Sequence, residues 1–238
     1  RPRQGGRGSS WWLLDEPNHR DDVRAISFFG YLLKRQLGAY RDVPIILRTD
    51  ISRVFWIRDL LAGQIDLNCI SRRFFDKNRY LLDNRDRFGR TYWNYASTNH
   101  PRETNVTMRA WCWKVWLLGG DGLLPWNAVR GGLRAWDQAE RLTVFYVGKR
   151  FGKNEPFPSL RLKAYRRGQQ DVEYLIMLAG KHGWDRDAVT QAVSRALKLP
   201  STVEVSFPED AGAIRFQRLD DGELEQVRLR VARALLEP

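Results

Sequence analysis

Short apolar runs alternate with longer amphipathic stretches over the first two-thirds of the chain. The short runs are typical of strands buried on both faces, and the longer stretches repeat with the period of a helix. A succession of this kind predicts βαβ units and a parallel sheet. The predicted strands are residues 11–15, 43–49, 65–71, 91–97 and 121–129. The predicted helices between them are residues 21–38, 52–63, 76–89 and 105–120.

The first predicted helix illustrates how these assignments arise. Acidic residues open it and Gly38 closes it, which matches the preferences of helix ends. Its apolar positions recur near a period of 3.6, which predicts one face turned toward the core. These positions are Val23, Ile26, Phe29, Leu33 and Leu37.

The pattern changes after residue 135. Residues 141–149 are expected to be extended, and a long helix is predicted over residues 159–183, with Ser159 as its N-cap. This helix passes through Gly168, which costs stability in a helix interior. Further on, the sequence predicts a helix over 185–199, a β-prone piece over 202–207 and a last helix over 222–236.

Two architectures fit the first part, an open doubly wound sheet and a (β/α)8 barrel. The chain has no glycine-rich turn after the first strand, which disfavours the nucleotide-binding version of the open sheet. We therefore expect an α/β fold, namely the C-terminal part of a (β/α)8 TIM barrel with about five visible βα units. The missing strands are expected in a preceding part of a longer protein. The expected divisions are a flexible lead-in (1–8), the partial barrel with its closing helix (9–180) and a mostly helical extension (181–238).

In a barrel, the active site lies at the carboxyl ends of the strands. Those ends are polar or aromatic here, which suits a polyhydroxylated ligand. They comprise Asp15-Glu16, Arg48-Thr49-Asp50, residues 68–72, residues 93–97 and Trp126-Asn127.

The doublet Asp15-Glu16 is the strongest chemical candidate. Pro17 lacks an N–H group and holds Glu16 extended, so the strand stops there and both carboxyls can face the barrel mouth. Two close carboxyls do not both ionise easily, so one pKa rises and that acid can hold a proton near neutral pH. Glycosidic cleavage needs such a proton donor.

Composition adds an aromatic and a basic signal. The chain has ten tryptophans, which are favoured where a flat apolar ring meets a partly polar ligand such as a sugar. Trp111, Trp113 and Trp116 are expected to fill the core instead. The net charge of +12 raises nucleic-acid binding as an alternative, but there is no nucleic-acid motif, so a solvated basic surface is favoured.

The spacing of the cysteines and the lengths of the apolar runs bear on metal binding and membrane insertion. Cys69 and Cys112 are interpreted as buried free thiols, because neither has metal-ligand spacing. No metal or cofactor is therefore expected. No apolar run reaches the roughly 20 residues of a membrane span.

Three stretches together resemble the C-terminal catalytic region of glycoside hydrolase family 123. They are "LLDEP" at the end of the first strand, "GGDGLLPWNAV" around the fifth strand, and "PSLRLKAYRRGQQDVEYLIML" on the long helix. The second carries Pro125 within a predicted strand, where a bulge is expected. The third matches the family's helix at Arg161, Arg167, Asp171 and Glu173, for which a structural salt-bridge role is favoured.

The resemblance implies a retaining β-N-acetylhexosaminidase, specific for N-acetylgalactosamine in characterised members, that uses substrate-assisted catalysis. By this analogy Asp15 orients the substrate's 2-acetamido group, and Glu16 protonates the leaving oxygen and then deprotonates water. Trp93, Tyr95 and Trp126 either stack on the sugar or fill the barrel, and both alternatives stay open. Asn68 and Asn127 are expected to bind sugar hydroxyls.

Three functions remain in competition at this stage. The first is the hydrolase, with an amino-sugar glycan as its partner and, by resemblance, an extracellular or periplasmic bacterial location. The second is a noncatalytic carbohydrate-binding barrel with the same rings and an idle acid pair. The third is a basic nucleic-acid-binding protein, which is disfavoured because aromatic residues gather at the strand ends and basic residues do not.

Overall fold

A computed structural model describes most of the chain. The described residues are 9–12, 17, 19–37, 45–51, 61, 64–75, 79–85, 91–96, 103–126, 128–129, 143–205 and 212–237. The chain divides into two compact units, the first formed by residues 1–95 and 207–211 and the second by residues 96–206 and 212–238. The domain boundaries expected from the sequence, at residues 8/9 and 180/181, stay predictions.

The first unit is built on parallel strands in chain order. They are β1 (Ser9–Trp12), β2 (Ile45–Ile51), β3 (Leu67–Ser71) and β4 (Thr91–Ala96). Each strand pairs in parallel with the next, so the order is β1-β2-β3-β4 without a reversal. The predicted parallel α/β sheet is therefore confirmed, while closure into a barrel stays a prediction.

The described helices of the first unit are α1 (Arg20–Leu37), α2 (Arg72–Phe75) and α3 (Arg79–Asp83). Helix α1 confirms the helix predicted over 21–38, whereas α2 was not expected. Helix α3 lies within the helix predicted over 76–89, of which residues 76–78 and 86–89 lie outside the described residues. The predicted helix at 52–63 lies outside the described residues except for Leu61.

The buried face of α1 differs from the predicted one. Val23 and Ile26 are buried as expected, but Phe29 is 54% exposed and Gly30 is buried instead. The helix is thus rotated so that the glycine backbone, and not the neighbouring ring, faces the interior. The prediction for Phe29 was wrong because residues 29 and 30 both fit a 3.6-residue repeat that starts at Val23.

The second unit is mainly helical. Its described α-helices are α4 (Asn105–Leu117), α5 (Leu160–His182), α6 (Arg186–Ser194) and α7 (Asp221–Leu236). Its described strands are β5 (Gly122–Pro125), β6 (Phe145–Tyr146), β7 (Phe157–Pro158), β8 (Ser201–Glu204) and β9 (Ala213–Phe216). Strands β6 and β7 form one antiparallel pair, and β8 and β9 form another.

Several helix and strand ends in the structure differ from the ends predicted from the sequence. Helix α4 stops at Leu117 and not at residue 120, because Gly119 adopts a positive φ of 95°. Strand β5 ends at Pro125, so the proline terminates the strand and no bulge is needed. Helix α6 begins as predicted, since the Asp185 carboxylate accepts a hydrogen bond from the Ala188 N–H, but it ends at Ser194.

One hydrophobic core joins the helices of the second unit. Trp113 and Trp116 from α4 are buried in it, and Trp111 on the same helix is buried against Tyr165, so all three rings fill the interior as predicted. Helices α6 and α7 contribute to the same core through residues such as Val189 and Leu224. The C-terminal helices are therefore packed into this unit and share its hydrophobic stabilisation.

A buried carboxylate, that of Asp171 on α5, links three helices. Its Oδ2 atom accepts hydrogen bonds from Arg109 Nε at 2.6 Å and from Trp113 Nε1 at 2.9 Å, both on α4. Its Oδ1 atom lies 2.9 Å from Arg228 Nε on α7. Asp171 is fully buried, so this arrangement compensates a charge that would be costly alone.

Acidic residues of α7 complete the network around Arg109. Its guanidinium also donates to Asp221 at 2.9 Å and to Glu225 at 3.0 Å. Burial acts to lower the pKa of Arg109, but the hydrogen bonds and charges of Asp171 and Asp221 outweigh it and raise the pKa. Partial burial acts to raise the pKa of Glu225, but Arg167 and Arg109 outweigh it and lower the pKa. The structural role predicted for Arg167 and Asp171 agrees with these contacts.

Helices α4 and α5 pack closely against each other at Gly168. A Cβ atom built on Gly168 would lie 2.6 Å from Cys112 Sγ, 2.8 Å from Cys112 Cβ and 3.1 Å from the Arg109 carbonyl oxygen. Real Cβ atoms do not occupy such positions, so the glycine is required by packing. This explains why a helix interior accepts a residue that costs helix stability.

Asp171→Asn is expected to lower the free energy of unfolding by about 3–5 kcal/mol, because it leaves buried guanidinium groups without their shared carboxylate. Glu173→Gln is the matched control, since Glu173 is exposed on the same helix and should change stability by less than about 0.5 kcal/mol. Urea denaturation of the chain measures both. Equal stability of the two variants would contradict a central role for Asp171.

Gly168→Ala is expected to destabilise the protein by about 1–3 kcal/mol, because the methyl group forces α4 and α5 apart. Gly180→Ala on the same helix has nothing within 4 Å of its new Cβ atom and should stabilise by up to about 1 kcal/mol. Thermal unfolding of the two variants checks the opposite signs. A Gly168→Ala protein that melts at or above the wild-type temperature would refute the close-packing argument.

Candidate functional site

The sequence assigned its candidate site residues to the carboxyl ends of the strands. Strand β1 ends at Trp12, and Asp15 and Glu16 lie outside the described residues. Pro17 is buried, two residues before the start of the turn into α1. The roles of Asp15 and Glu16 therefore stay predictions, and the described geometry concerns the neighbouring strands.

Strand register divides the aromatic and polar candidates between the two faces of the sheet. Cys69 on β3 lies between Asp50 on β2 and Trp93 on β4, so these three side chains share one face. Tyr95 lies two residues beyond Trp93 and belongs to the same face. Trp93 is half-buried, whereas Tyr95 is buried.

Asn68 occupies the opposite face. It is in register with Thr49 on one side and Tyr92 on the other, and all three are buried. Because successive strand residues alternate between faces, Asn68 and Trp93 do not share a surface of the sheet. Of the candidates on these strands, the structure brings Trp93 and Tyr95 together and separates Asn68 from them.

An ion pair lies on the same face as Trp93. The Arg48 guanidinium donates to Asp50 through Nε and Nη2, each at 3.1 Å, which is the bidentate geometry of a strong pair. Burial raises the pKa of the adjacent Cys69 thiol, and the negative charge and hydrogen bonding of Asp50 raise it further. The sequence placed Arg48 and Asp50 at a strand end but did not make them site residues, although the spacing Arg-x-Asp put both on one face.

Further polar groups follow the ends of β3 and β4. Ser71 closes β3, and Arg72, the first residue of α2, is fully buried directly after it. Asn94 on β4 is also buried, and its side-chain amide donates to the Ile70 carbonyl at 3.0 Å. Buried polar side chains are found mainly where they are hydrogen-bonded, so these groups give this end of the sheet a fixed pattern of donors and acceptors.

In the second unit, Trp126 is the exposed aromatic candidate. It follows the last residue of β5, its backbone N–H donates to the Ala96 carbonyl at 3.0 Å, and 49% of its surface is exposed. A fixed backbone and an open ring suit stacking on a ligand, in contrast to the buried rings of α4. Asn127, the neighbouring candidate, lies outside the described residues.

The loop formed by residues 147–156 lies in the same unit. It follows β6, and Phe145 on β6 forms a parallel bridge with Val129, which comes shortly after Trp126 in the chain. Both Trp126 and this loop therefore follow strand segments at their carboxyl ends. Sequence reasoning did not single out the loop, whose exposed basic residues interrupt an otherwise extended region.

Comparison with solved structures gives an informative similarity. The fold is similar to that of a family 123 glycoside hydrolase from Clostridium perfringens. The TM-score is 0.61 at 11% sequence identity, and the match covers 96% of this chain and 40% of the other. That enzyme was studied for the hydrolysis of glycolipid glycans. No protein-family model and no curated protein matches the sequence.

The likeness confirms the resemblance drawn from the three sequence stretches at the level of fold. At this identity it concerns the fold alone, and the chain spans only 40% of that enzyme's length. Within the described part of the chain, no cluster of three or more His, Cys, Asp or Glu residues could hold a metal ion. No helix among the same residues is long and apolar enough to cross a bilayer.

Both cysteines are expected to resist alkylation in the native protein. Each is free and buried. Burial and the charge of Asp171 raise the pKa of Cys112 from 9.0 to about 12, so its reactive thiolate is depleted on the order of a thousandfold. Iodoacetamide at mildly alkaline pH, followed by mass spectrometry, should label neither thiol until guanidinium chloride is added. Rapid native labelling of Cys69 would contradict its placement beside Asp50.

Proposed function

We propose that this chain is part of a glycoside hydrolase that cleaves β-linked N-acetylhexosaminides. The observation that carries the proposal is the fold similarity to a family 123 glycoside hydrolase over 96% of the chain. The three sequence stretches that resemble the same family support it independently, because they were identified from residue patterns. The 40% coverage of that enzyme's chain is compatible with a longer active protein.

The proposed architecture is part of a (β/α)8 barrel. Its support is the strand order β1-β2-β3-β4, in which each strand is added on the same side of the last. Doubly wound sheets instead reverse direction at a switch point, where their ligands bind. A barrel collects ligand-binding residues at the carboxyl ends of its strands, which is where the first unit carries Asp50, Ser71 and Tyr95.

In the proposed mechanism, the substrate supplies its own nucleophile. The 2-acetamido oxygen attacks the anomeric carbon while Glu16 donates a proton to the leaving oxygen. Asp15 orients the acetamido group and stabilises the positive charge of the cyclic intermediate. Glu16 then removes a proton from the water that opens the intermediate, so the configuration at the anomeric carbon is retained. Substrate-assisted enzymes do not need the usual separation of two catalytic carboxylates.

The binding roles follow from the described surroundings. Trp93 is half-buried and shares its face with the Arg48–Asp50 pair, so we assign it to sugar stacking, with Tyr95 as its buried support. Trp126 is assigned to stacking because its ring is exposed. Asn68 lies on the opposite face from Trp93, so its expected contact with sugar hydroxyls requires that the ligand reach that face. Asn127 is also proposed to bind a sugar hydroxyl.

The roles of Asp15 and Glu16 can be tested with substrates whose leaving groups differ in acidity. Glu16→Gln should lower kcat/KM for a phenyl β-N-acetylgalactosaminide on the order of a hundred- to ten-thousandfold, because proton donation is lost. The loss should be much smaller for a dinitrophenyl glycoside, whose leaving group needs little protonation. Asp15→Asn should impair both substrates similarly and weaken inhibition by a thiazoline mimic of the intermediate. These assays use the full-length protein that contains this chain.

Glu173→Gln serves as the control, because this exposed residue should leave all rates unchanged. Absence of turnover across a panel of aryl hexosaminides would refute the hydrolase. Sugar binding that persists without hydrolysis, and that ignores replacement of both acids, would instead establish a noncatalytic carbohydrate-binding barrel.

A further inference from the structure

The loop of residues 147–156, here called the basic loop, has the features of a preformed binding surface. It connects β6 to β7 and contains a 3-10 helix (Gly148–Phe151). It begins at the carboxyl end of a strand that bridges Val129 in parallel. In parallel α/β folds this is the end at which ligands bind.

The backbone of the basic loop is tightly constrained. A Cβ atom on Gly148 would lie only 1.7 Å from the Glu155 carbonyl oxygen, so the two limbs of the loop touch at this glycine. The Lys153 N–H donates to the Gly148 carbonyl at 3.0 Å, and the Gly152 N–H donates to the Lys149 carbonyl at 3.2 Å. Gly152 also adopts a left-handed φ of 67°, which favours glycine. The loop is therefore preorganised, which reduces the entropy lost when a ligand binds.

An aromatic pair supports the loop from within. The rings of Phe151 and Phe157 have their centroids 4.4 Å apart, and both side chains are half-buried. They join the middle of the loop to the first residue of β7, so Lys153, which lies between them, is carried on a fixed base.

The exposed side chains of the loop are predominantly cationic. Lys149, Arg150 and Lys153 are exposed within five residues, and the loop has one acidic residue, Glu155, which lies 4.0 Å from Lys153. Several ion pairs elsewhere in this unit are shorter than the pair of Lys153 and Glu155. Examples are Arg109 with Asp171, Arg167 with Glu225 and Arg186 with Asp121, at 2.6–3.1 Å.

We propose that the basic loop binds an anionic substituent, a sulfate ester or a carboxylate, of a glycan ligand. The glycan part of this inference rests on the proposed function, while the anionic part rests on the loop. Charge-assisted hydrogen bonds from lysine or arginine to such groups are stronger than neutral ones. The net charge of +12 adds long-range attraction for an anionic ligand.

A small anionic group fits this surface better than a nucleic acid. Nucleic-acid binders typically neutralise about 6–10 phosphates along an extended path. The basic loop offers three cations within five residues, which matches one or two anionic groups. The constrained backbone also favours one defined ligand position over a sliding polyanion.

The test compares neutral and anionic sugars on the full-length protein. The variant is Lys149→Gln/Lys153→Gln, which removes two charges and keeps Gly148 and the aromatic pair. The matched control is Lys163→Gln/Arg166→Gln, which removes two charges from the exposed face of α5. Calorimetry measures the binding of N-acetylgalactosamine, its 6-sulfate and a uronate-containing disaccharide, with a short single-stranded oligonucleotide as a fourth probe.

The wild-type protein should bind at least one anionic sugar about tenfold more tightly than the neutral one. One charge-assisted hydrogen bond accounts for a difference of this size in affinity. The loop variant should lose this preference, and the control should keep it. Preference for the 6-sulfate or for the uronate identifies which anion the loop accepts. An equal loss in both variants, or a stronger effect on the oligonucleotide than on the sugars, overturns the proposal.

The two proposals fail in distinguishable ways. Hydrolysis of neutral N-acetylgalactosaminides without any anion preference would overturn the loop site and leave the hydrolase intact. Loop-dependent binding of an anionic sugar without hydrolysis of any glycoside would overturn the hydrolase and support the loop site. Failure to bind any sugar would overturn both.

Discussion

The charge of Asp171 is the constraint around which the second unit is arranged. A fully buried carboxylate is stable only where donors and positive charges surround it, and here they come from Arg109, Trp113 and Arg228. Because these partners lie on α4 and α7, the three helices can pack in only one register that satisfies them all. The hydrophobic core supplies the stabilising energy, whereas the ionic network selects the arrangement. Gly168 completes the constraint, since α4 and α5 must come close enough for the Arg109 side chain to reach across.

Local sequence signals predicted the helices and strands well, but they did not predict which residues contact one another across the fold. Helices α1, α5 and α7 were predicted nearly to the residue, because their periodicity and end signals are local. The Asp171 motif was recognised on α5, but its partner Arg109 lies 62 positions before it. The next partner of Arg109, Asp221, lies 112 positions after Arg109. No periodic pattern carries information over such separations. Strand β9 was missed for the same reason, since four residues define it only through pairing with β8.

The grouping of the candidate site residues was also beyond what local sequence patterns could predict. The sequence placed Asn68, Trp93 and Tyr95 at the carboxyl ends of strands. Tyr95 does lie near the carboxyl end of β4, whereas Trp93 is in the middle of β4 and Asn68 is the second residue of β3. Which of them share a face depends on strand register, and a shift of one residue reverses every side chain. The register puts Trp93 beside Asp50 and Cys69 and puts Asn68 on the other side. A strand-end rule alone therefore could not say which of these side chains share one face of the sheet.

The way α7 closes the second unit bears on how the protein can be shortened. Its final turn is held by Lys181, whose ammonium group donates to the carbonyls of Ala234 and Leu235. Helix α7 also supplies Leu224, Val227 and Val231 to the core. A recombinant fragment that ends near residue 180, where the resemblance to family 123 ends, would lack α7. It would therefore expose the apolar surface that α7 covers and leave the buried Asp171 carboxylate without Arg228. Fragments intended for crystallisation or display need to retain the chain through Leu236, with any affinity tag separated from it by a spacer.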